Sequence, residues 1–436
     1  MDVASLSTFR LLHRALTIIA LVLGQGLRWL LGWLVLLAVF AGPARRREWF
    51  GQCLLDLFRH LGATFIKVGQ IMSTRPDLVP EHITQALAHL QDDVGPFPYE
   101  AVARTIAEDL GRPIEKVFAE FSVRPLASAS VAQVHKARLP DGRLVAVKVR
   151  RPDVVEICAF DLAVMRKVAR LLTKIPSLAA LSPESSIEQF GRAIHAQLDF
   201  RVEARNNARF RQNFRDESDV VFPEVFQAYS SERILCMSHI EGTKILDLRP
   251  GQSDSKRVAR LGLRAMLKMI FEDGFVHADL HPGNIFVLPG PRVAMVDLGL
   301  VGELDGPHRS TFGRFFAAWA QGDADTVAHL LYSLALNPSD KGESFEAFRK
   351  ALSDFLAHTA VHRMAEVHPG KVLLDMLGLL RRHRIRMAPA FTIVNIAIAV
   401  TEGIGRQLDP ELDLLAEAIP FFASHNALFQ PQSAEG

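Results

Sequence analysis

Cysteine is scarce in this sequence of 436 residues, and the few cysteines do not form close pairs. Cys53, Cys158 and Cys236 are odd in number and far apart, and no C-x-x-C pair occurs. That spacing indicates neither a disulfide framework nor a zinc ribbon. It fits a reducing, cytosolic environment.

An excess of either charge is also lacking. Lysine and arginine number 50 against 48 aspartates and glutamates, so the net charge is only +2. A dedicated nucleic-acid-binding protein would carry a basic stripe, and we therefore expect no nucleic-acid partner. Hydrophobic residues make up 49% of the chain and charged residues 22%, which is enough to bury a core and excludes disorder. The length suffices for two or three domains or for one large bilobal domain.

The N-terminus carries a long hydrophobic run. Residues 15–41 are interrupted only by Gln25 and Arg28. A helix of this length would reach roughly 40 Å at ~1.5 Å per residue, enough to cross a bilayer. Arg28, however, divides the run into two apolar stretches that are each short for a span. The run is too long for a secretory signal, and a buried helix of a soluble domain is the remaining alternative.

The polar residues of this run indicate how it would meet a membrane. Arg14, Gln25 and Arg28 fall near one face of a helix, which favours a helix lying in the interface. Three consecutive arginines, residues 45–47, follow and would hold that end on the cytoplasmic side. We therefore expect residues 1–45 to associate with a membrane lipid surface, on the cytoplasmic face of a bacterial inner membrane.

The pattern along the chain changes from helical to mixed. Residues 49–120 look helical, apart from a loop at Pro96 and Pro98. A β-hairpin follows, with strands at Ala132–Leu139 and Arg143–Val149 around an Asp-Gly turn. The further expectations are helix over about 154–214, strands near 220–221 and 233–237, helix over about 246–274, strand and loop over 276–300, and mostly helix to about 425. Strands before helices predict an α+β fold, with a small β-containing lobe and a large α-rich lobe.

The strongest chemical signal is the segment His277-Ala-Asp-Leu-His-Pro-Gly-Asn284. It matches the kinase catalytic-loop pattern H-x-D-L-x-x-x-N. Asp279 stands where a carboxylate can orient an attacking hydroxyl or water, and Asn284 is placed to hold a Mg²⁺ ion. The two histidines could instead form an H-x-x-x-H zinc pair. Pro282-Gly283 places them in a loop, however, and no third ligand is in view.

A second metal ligand follows this loop. Ile285–Leu288 and Val293–Val296 read as two strands around a Pro-Gly turn, and the second delivers Asp297-Leu-Gly299, a variant of the D-F-G triplet. Asp297 would bind the Mg²⁺ that bridges the β- and γ-phosphates. Catalytic loop, hairpin and D-x-G in this order predict ATP, or ADP, and Mg²⁺ as the cofactors.

An upstream lysine completes the kinase pattern. Val145-Ala-Val-Lys148 lies on a predicted strand and matches V-A-I-K, whose lysine pairs with the α- and β-phosphates. A carboxylate should pair with this lysine, and Asp199 and Glu203 are the candidates. Taken alone, Lys148 could equally be an ordinary exposed strand lysine, and either acidic residue could be a solvated charge on a helix face.

The chain lacks the glycine-rich loop that a kinase places over the phosphates. At that position stand Ala127, Ser128, Ala129 and Ser130, followed by Val131. Glycine permits positive φ and close backbone approach to phosphate, whereas these residues are more restricted but still offer N–H and hydroxyl donors. We expect a different phosphate grip here. The alternative is an ordinary turn at a strand edge.

These motifs together resemble the UbiB/ABC1/ADCK family of atypical kinases, from about residue 55 to residue 412. The family's K-x-G-Q motif appears as Lys67-Val-Gly-Gln70, and its alanine-rich loop as Ala127–Ser130. Further agreement is found at Ser73, Arg75, Asp77, Leu78, Pro80, Leu90-Gln-Asp92, Gln133-Val-His135, Asn206, Glu402-Gly403, Arg406 and Leu408-Asp-Pro410.

The resemblance implies a protein-kinase-like bilobal fold with a helical N-terminal extension. The segments expected are a hydrophobic membrane-associating segment (1–45), a helical K-x-G-Q extension (46–120), an N-lobe (121–244) and an α-rich C-lobe (245–430). The resemblance also implies a catalytic role for Lys67 beside Lys148 and Asp279. The other implied site residues are Gln70, Asp199 and Glu203 for ion pairing or regulation, and Ala127–Val131, Met237 and His239 for nucleotide binding.

The function that the resemblance implies is ATP-dependent support of ubiquinone or isoprenoid-lipid biosynthesis at the membrane. In the family the extension lies over the active site and blocks peptide substrates, so ATPase activity or small-molecule phosphorylation is expected. The implied partners are an isoprenoid or quinone precursor, or another small lipid-like substrate, and other quinone-biosynthesis enzymes. The alternatives are a small-molecule phosphotransferase resembling aminoglycoside or choline kinases, which use a similar loop, and a nucleotide-binding pseudokinase scaffold.

The sequence departs from the family pattern in three places. Gln197 replaces the first acidic residue of the family's E-x-D motif, and Leu298 replaces the usual phenylalanine of D-F-G. Familiar bacterial members also carry apolar helices at the C-terminus, whereas residues 421–436 here contain none. The membrane anchor is therefore expected at the N-terminal end.

Overall fold

The structure is a computed structural model. It describes residues 8–39, 41–73, 81–90, 95–175, 183–248, 254–336, 343–360, 369–385 and 387–424. The chain divides into two compact units, which we call unit 1 (Met1–Arg205 with Glu224–His239) and unit 2 (Asn206–Pro223 with Ile240–Gly436). Both units contain helices and strands, as expected for an α+β protein. The four segments expected from the sequence are a finer division, and their boundaries stay predictions.

The helices and strands are numbered in chain order. The helices are α1 (Thr8–Ala38), α2 (Pro43–Leu61), α3 (Ala63–Ser73), α4 (Glu81–Leu87), α5 (Tyr99–Leu110), α6 (Ile114–Val117), α7 (Val154–Leu172), α8 (Pro183–Leu198), α9 (Phe200–Asn213), α10 (Ser255–Leu267), α11 (Gly306–Ala320), α12 (Ala324–Ser333), α13 (Glu343–Ala360), α14 (Pro369–Arg382), α15 (Pro389–Leu408) and α16 (Leu414–Ser424). The strands are β1 (Glu120–Ser128), β2 (Ala132–Arg138), β3 (Leu144–Arg150), β4 (Val220–Val221), β5 (Ile234–Ser238), β6 (Thr243–Lys244), β7 (Phe275–His277), β8 (Ile285–Leu288), β9 (Arg292–Met295) and β10 (Val301–Glu303).

The N-terminal helices of unit 1 pack closely together. Gly32 of α1 lies against the ring of Trp49 in α2, and a β-carbon at position 32 would overlap the indole. Gly62 ends α2 with a φ of 88°, which glycine adopts without strain, and its N–H donates to the carbonyls of Phe58 and Arg59. The stretch Leu12–Ala38 is long and apolar enough to cross a membrane by length and composition, and little of it is buried.

An antiparallel sheet in the order β1-β2-β3-β5 forms the centre of unit 1. Side chains alternate between the two faces of a strand, so Val145, Val147 and Val149 of β3 share one face. They are fully buried against Val102 and Ile106 of α5. Lys148 therefore lies on the opposite face, where the sheet packs on α7, α8 and the start of α9. The strand pattern thus places this lysine among helices rather than in solvent.

Unit 2 combines two small sheets with a large helical core. One sheet has the order β4-β9-β8-β6, and β7 pairs with β10 in a separate ribbon. The β8–β9 hairpin holds the segment that precedes Asp297 in register, with Ile285 opposite Met295. The largest fully buried side chains of this core are phenylalanines, which include Phe210, Phe271, Phe312, Phe348 and Phe391.

Several predicted elements are confirmed. The β2–β3 hairpin, the strands near 220 and 235 and the pair β8–β9 all lie within one or two residues of their predicted positions. Helical structure is expected over about 154–214, and the described part of that segment contains α7, α8 and α9. Pro183 is the first residue of α8, and Asp199 separates α8 from α9. The helix expected from about 246 begins at Ser255 and ends in a π-helical turn, Lys268–Glu272.

The alanine-rich segment differs from the expected loop. Ala127 and Ser128 belong to β1, where they pair with Val134 and Gln133 of β2. Only Ala129–Val131 forms the turn, closed by a hydrogen bond of 2.7 Å from Ala129 N–H to the carbonyl of Ala132. Backbone pairing with β2 extends β1 into the alanine- and serine-rich segment, as far as Ser128. The family positions at 75, 77, 78, 80, 91 and 92 and the tail beyond 424 lie outside the described residues.

Candidate functional site

Lys148 forms a buried ion pair with Glu203. Its Nζ lies 2.9 Å from Oε2 of Glu203, and both residues are more than nine-tenths buried. The pairing of β3 with β2 and β5 fixes the lysine backbone, and the ammonium lies 5.4 Å from the centre of the Phe200 ring. Burying two charges is costly, and their mutual attraction offsets that cost only in a close, well-oriented pair.

The other candidate partner, Asp199, has a different role. Its carboxylate accepts hydrogen bonds from the backbone N–H and the guanidinium of Arg201 at 3.0 and 2.9 Å. These bonds lower the pKa of Asp199. Asp199 therefore organises the start of α9, and Glu203 occupies the position beside Lys148. Gln197 lies in the last turn of α8.

The turn between β1 and β2 is held by a residue that the motifs did not single out. Arg151 donates to the carbonyl of Ala129 at 2.8 Å and to the hydroxyl of Ser128 at 2.8 Å. Its backbone N–H bonds to the carbonyl of Val131 at 2.9 Å. Burial lowers the pKa of the Arg151 guanidinium. A cation thus lies directly beside the turn that replaces a glycine-rich loop.

Ser130 is the unusual residue of this turn. It is fully buried, and its hydroxyl has no hydrogen-bond partner within the part of the chain that the structure describes. Buried hydroxyls are nearly always paired, because leaving one unpaired costs about 1–3 kcal/mol. An orphaned donor beside a guanidinium fits a segment that binds an anionic group such as a phosphate.

Gln133 and His135 are structural residues of β2. The Gln133 amide bonds to both the N–H and the carbonyl of Phe97, and its nitrogen lies 2.9 Å from Nε2 of His135. The other ring nitrogen of His135 lies 2.8 Å from the carbonyl of Ser122. Burial lowers the pKa of His135, which favours a neutral ring. These bonds attach the segment before α5 to the sheet.

The K-x-G-Q motif lies on α3. Lys67 is 6% exposed, which excludes the reading of this residue as a plain surface lysine. Gln70 donates from its side-chain amide to the carbonyl of Leu90 at 3.3 Å. A β-carbon at Gly69 would overlap the side chains of Leu90 and Phe58, so glycine is required for the close packing of α3. Gly69 and Gln70 thus contribute to the packing of α3, whereas the charged side chain of Lys67 is itself buried.

Met237 and His239 lie at the end of β5. Met237 is buried and pairs with Ala146 of β3 and, through an isolated bridge, with Val225. The backbone N–H of His239 bonds to the carbonyl of Leu144 at 3.1 Å. Both predicted nucleotide-binding residues are therefore fixed to the same sheet as Lys148. Their contact with a nucleotide stays a prediction.

In unit 2, His277 organises the predicted catalytic loop. Its Nε2 lies 3.2 Å from the carbonyl of Val296, and its Nδ1 accepts from the N–H of Asp279 at 3.3 Å. A donor at Nε2 and an acceptor at Nδ1 require a neutral ring. Burial accordingly lowers the pKa of His277. This histidine is a positioning residue, and it does not act as a zinc ligand.

Asn284 closes the same loop. Its side-chain nitrogen donates to the carbonyl of Asp279 at 3.2 Å, which leaves Oδ1 as the acceptor end of the amide. Its backbone N–H bonds to the carbonyl of His281, and its own carbonyl accepts from the N–H of Val296. The residue before Asp297 is therefore bonded directly to Asn284. The two predicted metal ligands are held together by the backbone.

Asp297 has an uncommon backbone conformation. Its φ of 61° lies in the left-handed region, which costs about 1 kcal/mol for a residue with a side chain and is tolerated best by Asp and Asn. The next residue, Leu298, is 1% exposed and packs in the core of unit 2. Asn206 of α9 donates to the carbonyl of Leu298 at 2.8 Å. Leucine thus fills the apolar position of the D-x-G triplet.

These donors suit one class of metal. Among the described residues, no group of three or more His, Cys, Asp or Glu side chains could hold an ion by itself. Asn284 and Asp297 offer one amide oxygen and one carboxylate. Mg²⁺ usually keeps several waters and binds through one or two carboxylates together with substrate phosphates. The residues therefore fit a metal that arrives with a nucleotide.

Comparison with known proteins identifies the family. Residues 89–331 match the ABC1 atypical kinase-like domain, and residues 352–413 match the UbiB helical domain. The first match alone covers more than half of the chain. This chain belongs to the ABC1/UbiB family of atypical kinases. The UbiB helical-domain match begins within α13 and ends just after α15, and in it Glu402 accepts from the N–H of Gly370 and pairs with Arg406.

Curated ABC1/UbiB relatives cover most of the chain. "Probable protein kinase UbiB" of Vibrio parahaemolyticus is 35% identical over 380 residues, which are 85% of this chain and 70% of that protein. The protein of the same name from Pseudomonas aeruginosa is 37% identical over 389 residues, 87% of this chain and 72% of that protein. The structure of Rv3197 with erythromycin from Mycobacterium tuberculosis matches with a TM-score of 0.56 and 22% identity, covering 83% of this chain and 92% of that one. This last likeness shows the fold alone.

Proposed function

We propose that this chain is an ATP- and Mg²⁺-dependent atypical kinase or ATPase that supports ubiquinone biosynthesis at a membrane. The observation that carries the nucleotide chemistry is the buried Lys148–Glu203 pair, since a lysine held this way offers a fixed cation for phosphate. The hydrogen-bonded segment from His277 to Asn284 supports it. The link to ubiquinone rests on the name UbiB that the bacterial relatives carry.

Each residue of the chain has a distinct task in this proposal. Lys148 binds the α- and β-phosphates, and Glu203 keeps its ammonium in place. Asp279 orients the attacking hydroxyl or water. Asn284 and Asp297 would hold the Mg²⁺, which neutralises charge on the phosphates when it is bound. Arg151 and the turn Ala129–Val131 would bind phosphate where other kinases use glycines.

The proposed membrane location rests on α1. Many apolar side chains of this 31-residue helix are exposed, and so much exposed apolar surface is unfavourable in water. Three arginines follow at residues 45–47, and basic residues are attracted to the anionic cytoplasmic leaflet. A membrane-bound enzyme of this family would meet an isoprenoid or quinone precursor within the lipid. Other quinone-biosynthesis enzymes would be its protein partners.

Three aspartate variants test the nucleotide chemistry. Asp297→Asn removes the charge that holds the metal, so Mg-ATP should no longer raise the melting temperature of the protein. Asp279→Asn should keep that thermal shift but lose ATP hydrolysis by about 10²–10³-fold, because only the orienting carboxylate is missing. Asp216→Asn is the matched control, since its side chain is 86% exposed and pairs with the neighbouring Arg215.

The measurements are a thermal-shift titration with Mg-ATP and release of free phosphate. Both are followed with and without anionic vesicles that contain a phenolic quinone precursor. If Asp297→Asn is stabilised by Mg-ATP as strongly as the wild type, the assignment of the metal ligands is wrong. A wild type that binds Mg-ATP but never turns it over would instead support the pseudokinase alternative.

A further inference from the structure

Exposed apolar side chains form a stripe on one face of α7 and in the turn that follows it. Ile157, Val168, Leu171 and Ile175 are between 36% and 61% exposed. The first three belong to α7, where spacings of three and eleven residues place them on one face, and Ile175 lies in the turn after it. Single exposed apolar residues are ordinary on a protein surface, whereas several on one face mark a surface that is covered by something.

Basic side chains border this stripe. Lys167 and Arg170 of α7 and Lys174 of the turn after it are exposed. They are close in the chain to Val168, Leu171 and Ile175 and give this apolar surface a basic edge. Glu184 of α8 lies 3.7 Å from Arg170 and offsets part of its charge. An apolar face with a basic edge is typical of helices that lie on anionic lipid.

Helix α1 adjoins this same face of α7. Asp161 is four residues after Ile157 and seven before Val168, so it lies within the stripe, yet it is fully buried. Arg14 of α1 covers it, with Nε at 3.0 Å and Nη2 at 2.7 Å from its carboxylate oxygens. The same guanidinium donates to the carbonyl of Leu61. The one charged residue in the stripe is thus neutralised by α1.

Polar contacts join one side of α1 to the rest of unit 1. Arg28 pairs with Asp56 at 2.6 Å, in addition to the contact between Gly32 and Trp49. The opposite side is apolar and exposed from Leu12 onward. Its residues recur at three and four positions, and they include Leu12, Leu16, Ile19, Leu23, Leu27 and Leu34. A helix with one apolar side and one side bonded to the protein is suited to lie in the membrane interface.

We propose that α7 is a second membrane-binding helix, and that α1 and α7 together dock unit 1 onto an anionic lipid bilayer. This inference rests on the proposed membrane attachment through α1 and names a further element that shares it. The apolar sides of both helices enter the interface, and the basic edge from Lys167 to Lys174 contacts anionic headgroups. The Arg14–Asp161 pair joins the two helices.

Co-sedimentation of the full-length protein with vesicles tests this surface. The probes are vesicles of phosphatidylcholine alone and vesicles that also contain phosphatidylglycerol. Val168→Gln with Leu171→Gln should lower partition into both kinds about tenfold, since two apolar side chains leave the interface. Lys167→Gln with Lys174→Gln should lower partition about tenfold only into anionic vesicles, and high salt should remove the difference.

A matched control lies on β1 of the same unit. Val123 and Leu126 are 62% and 52% exposed, and Val123→Gln with Leu126→Gln should leave vesicle binding at the wild-type level. Thermal shift by Mg-ATP should be unchanged in every variant, which separates this test from that of the nucleotide site. Leu16→Gln with Leu23→Gln tests α1 alone.

Two results would overturn the proposal. The first is loss of binding in the α1 variant with wild-type binding in the α7 variant, which would leave α1 as the membrane contact and α7 without a part in it. The second is an α7 variant that changes self-association in the absence of vesicles but not vesicle binding. That result would make the stripe an interface between copies of this chain.

Discussion

Among single residues, Glu203 is decisive because it is the carboxylate beside Lys148. Both side chains are buried, so neither charge can be compensated by solvent if its partner is removed. Asp199, four residues earlier, is bonded to Arg201 instead. The side chain of Arg201 is 57% exposed, and exposed pairs contribute little to stability.

Glu203→Gln should therefore weaken both stability and nucleotide binding. Removing the negative charge beside the buried ammonium of Lys148 should cost about 3 kcal/mol of unfolding free energy, measured by urea denaturation. ATP hydrolysis should fall at least tenfold. Asp199→Asn is the control and should lose about 1 kcal/mol or less. Equal losses in the two variants would show that the pair beside Lys148 has no special role.

Motif spacing in the sequence singles out candidate site residues, whereas it does not reveal their hydrogen-bond partners. Lys148, Asp279, Asn284 and Asp297 follow from motif spacing, because each motif fixes a backbone geometry. The choice between Asp199 and Glu203 could not be made, since it depends on where α9 begins. Arg151 was missed because an arginine just after a strand carries no local signal. Its importance comes from Ala129 and Ser128, which the fold brings next to it.

Among the elements, the turn between β1 and β2 stands where a kinase would carry its glycine-rich loop. Only Ala129–Val131 is free of strand pairing, so the turn is short. Its backbone is held by Arg151 at two carbonyls. A side chain at each position disfavours positive φ, so the turn cannot fold over a phosphate as a glycine loop does.

Ala129→Gly should loosen this turn and alter how ATP is held. We expect a changed preference between ATP and ADP and a higher rate of autophosphorylation, because phosphoryl transfer depends on in-line positioning. Ala127→Gly is the matched control, since Ala127 pairs with Val134 within the sheet. The measurements are nucleotide titration and label transferred from radiolabelled ATP to the protein. Identical behaviour of the two variants and the wild type would contradict this reading.

Strands were easier to predict than helix boundaries. The β2–β3 hairpin follows from its β-branched residues and its Asp-Gly turn, and Gly142 adopts a φ of 91° there. Helical periodicity over 154–214 does not reveal where helices end. The break before α9 depends on Asp199, whose carboxylate bonds to the N–H of Arg201. In the structure such a cap is a hydrogen bond between neighbouring residues. In the sequence, the same aspartate looks like an ordinary charged residue on a helix surface.

For the whole molecule, the open question is the phosphoryl acceptor. Lys67 of α3 is buried. We propose that this helix excludes peptide substrates. We expect purified protein with radiolabelled ATP to release free phosphate, and to transfer label to a phenolic quinone precursor in vesicles more readily than to generic peptides. Lys67→Ala should shift label toward protein. Strong phosphorylation of peptides by the wild type, unchanged by this substitution, would contradict the assignment.

The link between Arg14 and Asp161 also sets an order of events during synthesis. The two residues are 147 positions apart, so α1 leaves the ribosome on the order of ten seconds before its partner in α7 does. Through that interval Asp161 has not yet been made, and the exposed apolar side of α1 is available to enter lipid. We therefore expect the nascent chain to reach the membrane first and unit 1 to complete its folding there, with the newly made α7 closing onto a helix already anchored.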